Sequence, residues 1–134
     1  MTATREPARP ASASRRESLA CNVAIVAGVL SSDPAMRELA SGDIVMTYEV
    51  TTRDADGVAS SVPVAWFCDD STKRPALAKG DPVVVTGRVN RRFFRAGGFT
   101  QSRTEVVADR VIAGTRRKSA QGALERAVAV VPLE

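Results

Sequence analysis

Residues 82–113, PVVVTGRVNRRFFRAGGFTQSRTEVVADRVIA, decide the fold. The quoted stretch has a glycine pair near its middle and β-branched residues on both sides. It reads as a long strand from Pro82 to about Arg95, a turn at Gly97-Gly98, and a returning strand from Phe99 to Ala113. The two-residue period of a strand puts Val83, Val85, Gly87 and Val89 on one face. Val84, Thr86, Arg88, Asn90, Arg92 and Phe94 share the other. The first row is core and the second is surface. The surface row therefore ends in guanidiniums and an exposed aromatic ring.

Working back towards the N-terminus, the pattern stays β. Residues 22–30, NVAIVAGVL, are apolar on both faces and predict a strand that is fully buried or lies in an interface. Ser31 to Pro34 supply turn chemistry. Residues 44–53 alternate: Ile44, Met46, Tyr48 and Val50 face one way, and Val45, Thr47, Glu49, Thr51 and Arg53 the other. A turn at 54–57 follows, then a third strand over 62–68 with Val62, Val64, Trp66 and Cys68 on its inward face. Phe67 falls outward. An inverted phase would bury it instead. Of the adjacent Phe93 and Phe94 one must face out, and alternation turns Phe93 inward. Residues 69–80 break the strand pattern; Asp70 or Ser71 could cap a short helix that stops before Gly80, with Pro75 limiting its length. The expected fold is all-β: a five-stranded Greek-key barrel of the OB type, with that helix between strands three and four.

Three segments follow from composition. Residues 1–20 are rich in Ala, Ser, Pro and Arg and predict a disordered basic arm. Residues 21–113 form the barrel. Residues 114–134 form an extension, basic at Arg116-Arg117-Lys118 and then apolar, with a possible short helix over 120–128 and a tail that is either disordered or docked on the barrel or another subunit.

Charge decides less than it first suggests. The chain carries +4 at neutral pH, which suits an anionic partner. Yet residues 21–113 hold eleven Lys and Arg against eleven Asp and Glu, so the surplus lies in the flanks. Nucleic-acid binding by the barrel needs cations segregated onto one surface. The outward row of Arg88, Arg92 and Phe94, with Phe67 and Arg53 on neighbouring strands, is such a surface. Aromatic rings stack on any base and guanidiniums neutralise phosphates, without reading sequence. A charge run at 91–95 is also what a solvated hairpin tip looks like.

Other chemistries find little support. The sequence has no histidine, which removes the commonest general base and most catalytic zinc sites. Gly97-Gly98 lacks the Lys-Ser or Lys-Thr of a phosphate loop. The expectation is a non-enzyme with no cofactor, no metal, no small-molecule substrate and no membrane segment. Cys21 and Cys68 are too few for a disulfide framework and read as reduced thiols of a cytoplasmic protein, with a bridge within or between chains as the lesser alternative.

Several residues carry a resemblance. Asn22, Gly28, Leu30, Asp33-Pro34 and Arg37 resemble, in order and spacing, the opening of the bacterial single-stranded DNA-binding proteins. Leu77, Lys79-Gly80 and Val85-Thr86-Gly87 resemble that family's approach to its fourth strand, and Thr104-Glu105-Val106 its fifth. The resemblance covers residues 21–113. It implies an OB fold, assembly as a homotetramer, single-stranded DNA as partner, and work in replication, recombination or repair at the nucleoid. It also implies base stacking at Phe67 and Phe94, with Arg92 two residues before the latter. Candidate phosphate contacts are Arg37, Arg53, Lys73, Lys79, Arg88, Arg92, Arg95 and Arg103.

Departures from the family pattern matter too. Two further stacking tryptophans are replaced by polar or small residues around Arg53 and Ser61, and the linker and acidic tip are missing. The likeness is thus to a secondary, tailless paralog. An OB-fold protein-interaction subunit and an RNA-binding OB domain remain as alternatives.

Overall fold

The computed structural model describes residues 20–69 and 71–132; the expectations for the basic arm up to residue 19 and for Asp70 lie outside the described residues. The chain forms β1 (Ala24–Leu30), β2 (Ala35–Glu38), β3 (Ile44–Arg53), β4 (Ala59–Cys68), β5 (Pro82–Ala96), β6 (Phe99–Ala113) and α1 (Arg117–Ala129). The strands hydrogen-bond in the order β1-β5-β6-β4-β3-β2, and β1 also pairs with β3. That last pairing joins the two sides of the sheet, and the short β2 hangs on β3 outside the ring. All pairs are antiparallel except β4 with β6. A mostly β ring of this connectivity is consistent with an OB-type barrel.

The interior is built by alternation. Leu30, Tyr48, Val50, Val64, Trp66, Val83 and Val85 form the centre of the core, with Val106, Ala108 and Val111 from β6. Trp66 is 8% exposed, as its inward phase predicts. Burial pushes the Tyr48 phenol up to about 12, so it stays neutral, and it also raises the Cys68 thiol. Cys21 is exposed and Cys68 buried, and neither is bridged.

On β6 the parity of the core residues changes between Ala108 and Val111. The register explains it: Thr86 faces Arg110 but Gly87 faces Ala108, leaving Asp109 as an extra residue in a bulge. Backbone comes close here. A Cβ on Gly87 would run into the Val107 carbonyl, just as one on Gly28 would meet the Thr51 carbonyl where β1 crosses to β3. Gly87→Ala is expected to destabilise the barrel by about 1–3 kcal/mol, read as a lower urea midpoint at unchanged slope.

Two elements differ from the sequence expectation. The helix expected between strands three and four is replaced by turns over the described residues of 69–81. Asp69 Oδ1 accepts hydrogen bonds from the Ser71 hydroxyl (2.7 Å), the Ser71 amide (2.9 Å) and the Thr72 hydroxyl (3.1 Å), closing a turn. Those bonds, the Ser71 hydroxyl foremost, hold the Asp69 carboxyl below its ordinary range. Pro75 then lacks an amide hydrogen and disfavours helical geometry at Arg74, so nothing propagates. A helix does form in the C-terminal extension, where a short one over 120–128 is expected from the sequence: α1 starts earlier, at Arg117, and Ala120 and Ala123 bury against the barrel. The strand count differs as well, since β2 adds a sixth strand to the five expected. Among the described residues no helix is long and apolar enough to cross a membrane.

Candidate nucleic-acid interface

Directly paired residues of neighbouring strands point to the same face, so the register identifies a shared surface. Phe67 pairs with Val45, and Ala65 pairs with Thr47 on β3. Ala65 also pairs with Val107 on β6, and Val107 with Arg88 on β5. Continuing along that face, Asn90 lies opposite Glu105, Arg92 opposite Arg103 and Phe94 opposite Gln101. On the far side Arg53 lies opposite Ala59, and Arg37 of β2 lies opposite Val45. Arg37, Arg53, Phe67, Arg88, Arg92, Phe94 and Arg103 therefore share the outer face of one continuous sheet. Both rings are solvent-accessible, Phe67 at 57% and Phe94 at 36%.

The rings stand at opposite ends of this face. Counted through the register, they are eight residues apart along the strands, roughly 25 Å at ~3.3 Å per residue, and two strand spacings apart across them. The guanidiniums lie between and beside them. The Arg92 guanidinium carbon sits 5.5 Å from the centre of the Phe94 ring, a cation–π contact, and its Nε lies 3.2 Å from Glu105. Arg103 approaches Glu49 at 3.3 Å, and Ser61 donates to the same carboxylate at 2.9 Å. Two of the five face arginines are thus paired with acids. Arg37, Arg53 and Arg88 have no carboxylate partner within 4 Å among the described residues, so the face keeps a positive surplus.

Other candidates stand elsewhere. Lys79 lies in the Ala78 to Asp81 turn, its amide donating to Asp33 at 2.8 Å. Lys73 lies in the turn region after β4 and lines a groove beside Phe67. Arg95 belongs to the opposite row of β5, with Phe93, and donates to the Gly98 carbonyl at 3.1 Å. Phe93 itself is a correction: alternation turns it towards the core side, but it is 66% exposed. By that point the β5–β6 hairpin has run past the end of the barrel, so neither face has a core to meet. Val89, on the same row, is already half exposed, with its amide and carbonyl both bonded to the Asn22 side chain (2.9 and 2.8 Å). Thr86 corrects in the other direction. It sits on the outer row yet is buried, sharing a cleft with Ala123 and Ala127 of α1.

Sequence reasoning passed over four arginines that the fold gathers beside Phe67. Arg74, Arg110, Arg116 and Arg126 come from the turn region, β6, the start of α1 and its last turn. Only the run at 116–118 was visible as a charge cluster. Arg110 was hidden by the bulge, and Arg126 by not knowing where the helix docks.

A comparison with curated proteins gives no match. A comparison with family models matches residues 21–113 to the model described as "Single-strand binding protein family". The matched span is the whole barrel, from the residue before Asn22 to the end of β6, and it includes every residue of the ringed face; by that match the chain belongs to the single-strand binding protein family.

Proposed function

We propose that the barrel binds single-stranded DNA across its outer β5-β6-β4-β3 face, by stacking bases on Phe67 and Phe94 and neutralising phosphates with Arg37, Arg53, Arg88, Arg92 and Arg103. The observation that carries this reading is the exposure of both rings on the one sheet face that also holds five guanidiniums. Family membership supports single-stranded DNA as the partner class and a non-catalytic role. Arg92 covers one side of the Phe94 ring and leaves the other for a base. Neither stacking nor charge pairing reads base identity, so binding is sequence-tolerant. Duplex DNA offers no free base faces and competes poorly. Anisotropy titrations with labelled oligo-dT, a mixed-sequence strand and the matching duplex at ~0.15 M salt test this. Equal affinity for duplex and single strand would overturn it.

Glu105 acts as a brake in this scheme. It is a buried carboxylate whose partner is Arg92. Glu105→Gln frees that guanidinium for phosphate and removes a repelling charge. The expected result is several-fold tighter binding and a salt dependence steeper by about 0.7 in log–log slope, checked by titration at three salt concentrations.

Assembly rests on β1. Ile25 and Val29 are each 44% exposed, and Ala27 between them is exposed too. Such an apolar row is what protein contact explains and nucleic acid does not. We assign it to a homo-oligomeric contact, with a tetramer as the expected state, and the protein to cytoplasmic, nucleoid-associated work in replication, recombination or repair as a secondary paralog. Light scattering after size exclusion reads the assembly directly: a 14.2 kDa species would contradict it.

A further inference from the structure

A groove of about 640 Å³ lies between the turn region after β4, the last third of β6 and α1. Its wall begins at Phe67 and, among the described residues, carries five cations, Lys73, Arg74, Arg110, Arg116 and Arg126, against one acid, Asp109. We propose that this groove is a second phosphate track, which takes the single strand onward after it leaves Phe67 and makes the C-terminal helix part of the nucleic-acid interface. The inference rests on the reading of the ringed face given above.

Direction is the main argument. Following β6 from its start, the chain passes Gln101 opposite Phe94, then Arg103 and Glu105, then Val107 at the level of Ala65. Phe67 lies two residues further along β4, which runs parallel to β6. The next residues of β6 in the same direction are Asp109, Arg110, Val111, Ile112 and Ala113, and all of them line the groove. A strand laid from Phe94 to Phe67 is therefore already heading into it.

Charge is the second argument. The barrel as a whole is neutral, yet five of its own and the helix's cations meet in one concavity with a single carboxylate among the described residues. The groove residues come from three separate elements, so the segregation is produced by the fold and not by a run in the sequence. Arg116 also stands at the N-cap of α1 with no side-chain cap and no acid in the first turn. Helix stability would favour Ser, Thr, Asp or Asn there. A cation at that position costs stability and adds potential to the groove. Arg116 and Arg126 lie beyond the residues matched to the family, while Lys73, Arg74 and Arg110 lie within them, so the helix extends a track that begins on the barrel. A single strand fits better than an acidic peptide because the groove opens directly from an exposed ring, which a peptide carboxylate does not use.

Arg110, Arg116 and Arg126 are exposed, so Gln at all three leaves the core intact; a matched thermal melt verifies it. With a long oligo-dT, the triple variant R110Q/R116Q/R126Q is expected to lose about two units of log–log salt slope, at ~0.7 per phosphate contact, and to occlude fewer nucleotides than the parent. Lys at the same three positions restores the slope, while Phe67→Ala with Phe94→Ala weakens binding in both backgrounds. An unchanged slope and site size in the triple variant overturns the groove but leaves the ringed face standing. A parent protein that binds no single strand sinks both. Displacement of oligo-dT from Phe67 alone, with poly-glutamate protecting the three arginines, would assign the groove to an acidic protein segment instead.

Discussion

Phe67→Ala and Phe94→Ala, made together, are expected to lower affinity for a mixed-sequence oligonucleotide by roughly 30-fold to 10⁴-fold, with little change in folding stability. In the proposed mode each ring stacks one base, worth ~1–3 kcal/mol, and each ~1.4 kcal/mol is a factor of ten in Kd. The two sites are roughly 25 Å apart along the strands, so their effects add. Stability is spared because both rings are exposed and neither belongs to the core cluster. The salt dependence should stay nearly constant, since no phosphate contact is removed. That separates stacking from charge: a large fall in affinity with a preserved slope is the signature. Anisotropy titration at several salt concentrations measures both quantities in one series.

Trp66→Ala is expected to do the reverse. Trp66 is the neighbour of Phe67 in sequence, but the pleat turns it into the core beside Tyr48, Val64 and Val106. Removing it leaves a cavity costing about 3–5 kcal/mol, against a total stability of roughly 5–15 kcal/mol for a domain of this size. The variant should melt far below the parent. Where it remains folded, affinity for single strands should be close to normal. The proposed site thus gives two adjacent aromatic residues separable roles, Trp66 in folding and Phe67 in binding, and the strand phase alone distinguishes them. Chemical denaturation followed by circular dichroism checks the stability, and the same titration checks the binding. An affinity loss in folded Trp66→Ala matching that of Phe67→Ala would mean the phase is wrong.

That phase was legible in the sequence because β3, β4 and the first half of β5 each turn one row of side chains into the barrel core, even though Val45 and Ala65 on the outer row are buried as well. Alternation then identifies the inward row, as at Tyr48, Trp66 and Val85. It stops reporting where that condition lapses. Phe93 and Val89 lie on the core row, but the β5–β6 hairpin has left the barrel, so the row faces solvent. Thr86 lies on the surface row, but α1 covers it. The bulge at Asp109 shifts the pattern of β6 by one residue, and a bulge has no composition of its own to announce it. The helix expected over 69–80 does not form among the described residues, for a related reason. Asp69, Ser71 and Thr72 look like a cap in sequence, and cap chemistry also closes an isolated turn.

The groove beside α1 marks a different limit. Its cations are spread from Lys73 to Arg126, and only the three-dimensional crossing of turn, strand and helix brings them together. Local charge counting sees a neutral barrel with basic flanks. The fold instead collects part of the flank's charge onto the barrel, next to an exposed ring. Charge totals by segment therefore understate how basic the assembled surface is.

The most direct test is to find which side chains touch the bases. A halogenated oligo-dT is irradiated with the assembled protein, and the cross-linked peptides are sequenced by mass spectrometry. Adducts at Phe67 and Phe94 are predicted, with none on the Ile25 to Val29 row of β1. Cross-links confined to that row, or to Phe93 on the opposite side of the hairpin, would contradict the account.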